Sequence, residues 1–195
     1  MERDVILASA SARRKELLTQ IGVPFRVIVS EKEEKICTDS PEAACRMLAA
    51  QKAEAVFSAV RPDIRKETVV IGADTVVWAG GRILGKPADH EDAAKMLRLI
   101  SGTTHQVYTG VCVIRQGTGK GEPDVRIFSE ETEVTVAPLS ETDIAWYIGT
   151  GEPADKAGAY GIQGLFARYI AGIHGDYNNV VGLPVGRLWR ECLSQ

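Results

Sequence analysis

Four cysteines, Cys37, Cys45, Cys112 and Cys192, are all that this 195-residue chain has, and they lie far apart with no C-x-x-C pair. Such spacing indicates neither a zinc site nor a disulfide framework, so reduced thiols in a cytoplasmic protein are expected. An excess of positive charge is missing as well. A formal net charge of -3 and a pI near 5.7 argue against an open nucleic-acid groove, though not against one small anionic ligand. No apolar stretch approaches the roughly 20 residues of a membrane span, and Arg13, Arg14, Lys15 and Glu16 interrupt the N-terminal apolar run before it can act as a secretion signal. There is no G-x-x-x-x-G-K-[ST] loop and no G-x-G-x-x-G opening a helix, which counts against a phosphotransferase. Linkers, repeats and low-complexity segments are absent too. What is there is an ordinary globular composition, 45% hydrophobic and 25% charged, sufficient for a substantial core. Residues 1–195 are expected to form one domain, with two lobes around one cleft.

Strand and helix patterns alternate along the chain. Residues 5–8 read as a strand feeding a helix capped by Ser11, and residues 25–30 as a second strand. Ser40 and Pro41 open a helix to about Val60. Residues 68–79 form an apolar, β-branched strand that turns at Gly80-Gly81 into residues 82–84. Asp89 caps a helix to about Ile100, and residues 106–114 and 125–136 form two long strands that pair. Ser140 opens a short helix, residues 168–173 make a last strand and residues 184–192 a closing helix. Mixing βα units with long antiparallel pairs predicts an α/β fold with a mixed sheet.

Several polar residues are oddly placed for mere solubility. Arg13 and Arg14 occupy the first turn of a helix, where cations oppose the dipole by roughly 0.3 to 1 kcal/mol each when exposed. With Ser9 and Ser11 beside them, they suit a bound anion such as phosphate, the alternative being a surface helix that starts basic. Asp74 is enclosed by Val69, Val70, Ile71, Val76, Val77 and Trp78, so its carboxylate needs a cation, hydrogen-bond donors or a raised pKa. A metal-binding or general-base role competes there with a turn aspartate. Lys52 falls on the apolar face marked by Ala44, Met47, Leu48 and Ala55, and either snorkels or reaches into a cleft. Lys86, between Gly85 and Pro87, sits where a rigid loop can aim an ammonium at phosphate. Glu33 is a second carboxylate for a divalent cation, or part of a solvated acidic run. Gln163, in the glycine-rich segment 155–164, offers both a donor and an acceptor to a uracil or thymine edge.

Five separated motifs carry a resemblance over nearly the whole chain: S-A-S-A-R-R-K-E-L-L at 9–18, G-A-D-T-V-V at 72–77, G-K-P at 85–87, D-K-A-G-A-Y-G-I-Q-G at 155–164 and V-V-G-L-P at 180–184. Together they resemble the Maf proteins. The resemblance implies an elongated, two-lobed α/β fold with a central cleft, like that of the inosine triphosphate pyrophosphatases. It also implies a cytoplasmic, often dimeric nucleoside triphosphate pyrophosphatase that uses Mg2+ or Mn2+. Arg13, Thr75 and Gln163 match the positions marking the branch that takes dTTP and UTP, and Asp74 matches the proton acceptor. Ser9, Arg14, Glu33, Lys52 and Lys86 match polar residues of the family's cleft. One departure is Ala12, where the family usually has proline; alanine is a good helix former, so the turn should survive. A non-catalytic nucleotide sensor in septum formation would use the same basic cleft and stands as the alternative.

Overall fold

An apolar run that ends in small hydroxyl residues should leave a sheet and start a helix at once. In the computed structural model, which describes residues 3–30, 35–60, 67–117 and 121–194, strand β1 (Arg3–Leu7) does so, leading into helix α1 (Ala12–Gln20). The Ser11 hydroxyl accepts the Arg14 N–H at 3.5 Å as the N-cap. Gly22, at φ +71°, turns the chain back after the helix. Strand β2 (Arg26–Val27) is much shorter than the six residues expected, because its partner β1 ends at Leu7, opposite Val27.

Helix α2 (Pro41–Ala59) begins at the anticipated Ser40 cap. Strand β3 (Glu67–Ala79) turns through Gly80 and Gly81, both at positive φ, into β4 (Arg82–Leu84). The primed turn that fits a hairpin needs left-handed backbone there. Helix α3 (His90–Ile100) is capped by Asp89, and β5 (Thr104–Gln116) and β6 (Asp124–Val136) form the expected antiparallel pair. Helix α4 (Glu141–Gly149) opens on a capping box between Ser140 and Asp143.

After α4 the chain departs from expectation. Residues 152–169 form short 3-10 turns, so the last strand, β7 (Ile170–His174), starts two residues later than read. Helix α5 (Tyr177–Val181) was not anticipated, since one turn shows no periodicity. The closing helix splits into α6 (Val185–Leu188) and a π-helical turn, Trp189–Leu193.

The sheet is mixed, in the order β2-β1-β3-β5-β6-β7, with β4 on part of β3. β1 runs parallel to β2 and β3, whereas β3, β5, β6 and β7 alternate in direction. Strand alternation sends Val70, Gly72 and Val76 of β3 toward α2, and Val69, Ile71, Ala73 and Val77 into the larger core against α1 and α3. α2 lies unusually close to the sheet. A Cβ on Gly72 would strike the Ala49 carbonyl and reach 2.8 Å from Ala53 N, and one on Gly110 would strike the Cys45 carbonyl. Glycine at these two positions lets helix backbone rest on strand backbone.

Candidate active site

β1 pairs with β3 over residues 67–71 and β4 pairs with it over 77–79. Among the described residues, positions 72–76 therefore have a ladder partner only on the β5 side. This gap lies at the carboxyl end of β1. There Ala8 N–H still donates to Ile71 O at 2.8 Å and the chain then turns away at Ser9. Crevices beyond the carboxyl ends of parallel strands are where open α/β sheets take ligands.

Asp74 and Thr75 occupy the gap and, being consecutive in a strand, point to opposite faces. On the α2 face the Lys52 ammonium donates to Asp74 Oδ1, with both side chains 16% exposed. Lys52 thus reaches inward, and its charge offsets the burial of the carboxylate. The nearby Cys45 thiol is pushed up to about 12, first by burial and then by the charge of Asp74, so it stays an inert thiol at neutral pH.

On the other face Arg14 is buried. Its Nε donates to Gly182 O at 2.8 Å, Nη1 to Ser9 Oγ at 3.1 Å and Nη2 to Thr75 Oγ1 at 3.1 Å. Thr75 Oγ1 lies 2.9 Å from Thr109 Oγ1, and the Thr109 hydroxyl donates to Asn179 O at 2.9 Å. Since Thr109 has one proton, the Thr75 hydroxyl donates to it, giving a one-way chain from Arg14 through both threonines to α5. Asn179 in turn donates to Val107 O and Thr132 Oγ1 at 3.0 and 2.9 Å.

Arg13 diverges from Arg14 and faces Asp155 at 3.7 Å. Gly158 N–H donates to Gly85 O at 3.0 Å, which sets the Lys86 loop against segment 155–164. Lys86 and Gln163 are exposed, and neither side chain has a hydrogen bond or ion pair among the described residues. Glu33 lies outside the described residues. The structure therefore joins Ser9, Arg14 and Thr75 by direct bonds and joins Lys52 to Asp74, while Arg13 and the Lys86 loop are set against segment 155–164.

Four supporting residues went unnoticed in the sequence. Thr109 and Asn179 are the first two. His105 is the third; its Nε2 meets the Tyr160 hydroxyl at 2.8 Å, and burial holds the ring down to about 4, so it is neutral at pH 7. Glu152 is the fourth, accepting from Tyr147 OH at 3.2 Å and from Leu165 N–H at 2.9 Å.

Fold and site together define a mixed α/β protein whose central strand carries, along a stretch unpaired on one side, a Lys–Asp pair on one face and an arginine–hydroxyl network on the other. The family model described as Maf-like protein matches residues 4–194, and the chain belongs to that family. A dTTP/UTP pyrophosphatase of Agathobacter rectalis is 51% identical over 195 residues, spanning 96% of this chain and 95% of the relative. One from Koribacter versatilis is 50% identical, spanning 95% and 91%, and one from Bacillus cereus strain ZK / E33L is 49% identical, spanning 97% and 94%. A solved structure of a nucleoside-triphosphatase, a dITP/XTP pyrophosphatase from Mycobacterium abscessus, covers 70% of this chain and 74% of its own at 15% identity and a TM-score of 0.36.

Proposed function

We propose that the whole chain works as one nucleoside triphosphate pyrophosphatase, taking dTTP and UTP and releasing the nucleoside monophosphate and pyrophosphate. The observation that carries this reading is the pairing of Lys52 with Asp74 in the β3 gap, one residue from the Arg14–Thr75 network, in a chain about half identical to relatives named for that activity.

Arg13 and Lys86 reach the triphosphate from the rim, the Lys86 ammonium exchanging water for phosphate and the Arg13 guanidinium turning to it from Asp155. Arg14 adds positive charge from beneath while holding Ser9 and Thr75 in place. Lys52 neutralises the phosphate nearest Asp74. The Asp74 carboxylate accepts a proton from water as its oxygen attacks the α-phosphorus, and the α–β anhydride bond breaks with pyrophosphate as the leaving group. Positioning and charge neutralisation supply most of the acceleration in such a displacement. Gln163 presents its amide to the N–H and C=O edge of the uracil or thymine ring.

Mg2+ or Mn2+ fits the donor set. Among the described residues no group of three His, Cys, Asp or Glu side chains forms a cage. One carboxylate, Asp74 in a ligand's role rather than a base's, with Glu33 as the second that the family resemblance implies, matches the way Mg2+ binds through one or two carboxylates and substrate phosphates. When bound, the ion would neutralise charge developing on the phosphate oxygens. The reading brings with it a cytoplasmic homodimer, as the family resemblance implies; no described helix is long and apolar enough to cross a membrane.

The test is pyrophosphate release from a panel of nucleoside triphosphates with Mg2+, Mn2+ or EDTA, run beside Asp74→Asn. Metal-dependent release from dTTP and UTP should vanish in the variant while nucleotide binding persists. Near-normal turnover in the variant would overturn the role given to Asp74, and binding without turnover in the unaltered chain would favour a sensor.

A further inference from the structure

Gln163 is exposed and bonds to nothing among the described residues, so only its backbone can aim it. That backbone is held on both sides of Gln163 by one carboxylate. Two residues before it, Gly161 N–H donates to the Tyr147 hydroxyl at 3.2 Å, and that hydroxyl donates to Glu152 Oε1 at 3.2 Å. Two residues after it, Leu165 N–H donates to Glu152 Oε2 at 2.9 Å. Lys156 Nζ then fastens the start of the loop by donating to the Glu152 carbonyl at 2.7 Å and to Asp155 Oδ1 at 2.7 Å.

The fit is tight. A Cβ on Gly164 would collide with the Glu152 carboxylate, coming within 2.7 Å of Oε2, and one on Gly161 would lie 2.6 Å from Lys156 Cε. The loop also carries strain. Ala159 sits at φ +60°, a left-handed conformation that costs a non-glycine residue roughly 1 kcal/mol or more and persists only where its surroundings impose it. The His105–Tyr160 bond anchors the next residue.

We infer that Glu152, with Tyr147 as its relay, is a positioning residue for base selection: it fixes the arc 161–165 so that Gln163 meets the pyrimidine edge at one height and angle. The inference rests on the reading that Gln163 contacts the base. Glu152 touches no reacting atom, so its loss should change which nucleotide is preferred more than how fast a bound one is cleaved.

The experiment measures kcat/KM for UTP and CTP, with melting temperatures, in the full chain and in Glu152→Gln, Tyr147→Phe and Gln163→Ala. Glu152→Gln keeps the size but has one acceptor oxygen for two donors; Tyr147→Phe keeps the packed ring and removes only the hydroxyl. Each should lower the UTP-to-CTP ratio by roughly fivefold, the equivalent of one hydrogen bond, mainly through KM for UTP. A ratio unchanged in both variants but shifted in Gln163→Ala overturns the positioning role alone. A ratio unchanged in Gln163→Ala removes the base-reading role, and this inference with it. If Glu152→Gln does not fold, Tyr147→Phe decides, because a lower melting temperature with intact selectivity marks a structural bond only.

Discussion

Replacing Gly72 by alanine adds a single methyl group at the point where α2 rests on β3. That methyl would lie 2.8 Å from Ala53 N and 2.9 Å from Ala53 Cβ, and closer still to the Ala49 carbonyl, whereas ordinary contact starts near 3.4 Å. Most of what it meets is backbone, so no side chain can swing aside, and α2 must retreat by roughly half an ångström or more. Overpacking of this kind costs about 1 to 3 kcal/mol. For a chain of this size each kcal/mol lowers the melting temperature by about 2 to 4 °C, so a fall of roughly 2 to 12 °C is expected in a thermal melt. Lys52 lies between Ala49 and Ala53 on the same helix, so it should withdraw from Asp74 and turnover should fall too. Gly149→Ala is the control: its Cβ would enter open space and its φ is not left-handed, so it should melt at or slightly above the temperature of the unaltered chain. Equal melting temperatures for Gly72→Ala and Gly149→Ala would refute the close helix–strand approach and the account of Lys52 that depends on it.

Arg14→Lys keeps the charge but replaces a planar fork by one point donor, which cannot serve Ser9, Thr75 and the Gly182 carbonyl at once. A loss of roughly 2 kcal/mol in denaturant unfolding and a raised KM are expected; an unchanged KM would mean that the network does not shape the substrate site. Burial holds His105 near 4 when folded, against 6.5 when unfolded, so the unfolded chain takes up a proton that the folded chain refuses. Its contribution is whole above pH 6.5 and declines as pH falls toward 4, by at most roughly 3 kcal/mol; His105→Gln should flatten that part of the stability profile, and equal slopes would contradict it. Cys37 is exposed, whereas Cys45 and Cys112 are buried and raised to about 12 and Cys192 is buried and raised. A thiol reagent at pH 8 should therefore add one equivalent by mass spectrometry, and further adducts should appear only on unfolding.

Much of this architecture was legible because its signals are local. Ser11, Ser40, Asp89 and Ser140 all cap the helices they were read to cap, since a cap depends only on the next few residues. Lys52 and Asp74 were each conspicuous as charges on apolar surfaces, yet their pairing was not visible, because 22 residues separate them and only the packing of α2 on β3 joins them. Arg13 and Arg14 read as a matched pair of phosphate forks, whereas the fold turns Arg14 inward and Arg13 toward Asp155. Thr109 had a faint signal: alternation places it with Val107 and Val111 on a buried face, where a hydroxyl needs a partner. Asn179 and Glu152 had none, since a one-turn helix and a run of 3-10 turns show no period against which a misplaced polar residue stands out.

Eleven residue pairs lock β3 to β5, from Thr68 opposite Gln116 to Trp78 opposite Gln106. Slipping that ladder by one position would turn every side chain of β3 over, delivering the Asp74 carboxylate to the arginine side and the Thr75 hydroxyl to the lysine. The zip of two strands thus decides which face receives the acid and which the hydroxyl, and a chain that folded out of step would be not a slower enzyme but a cross-wired one.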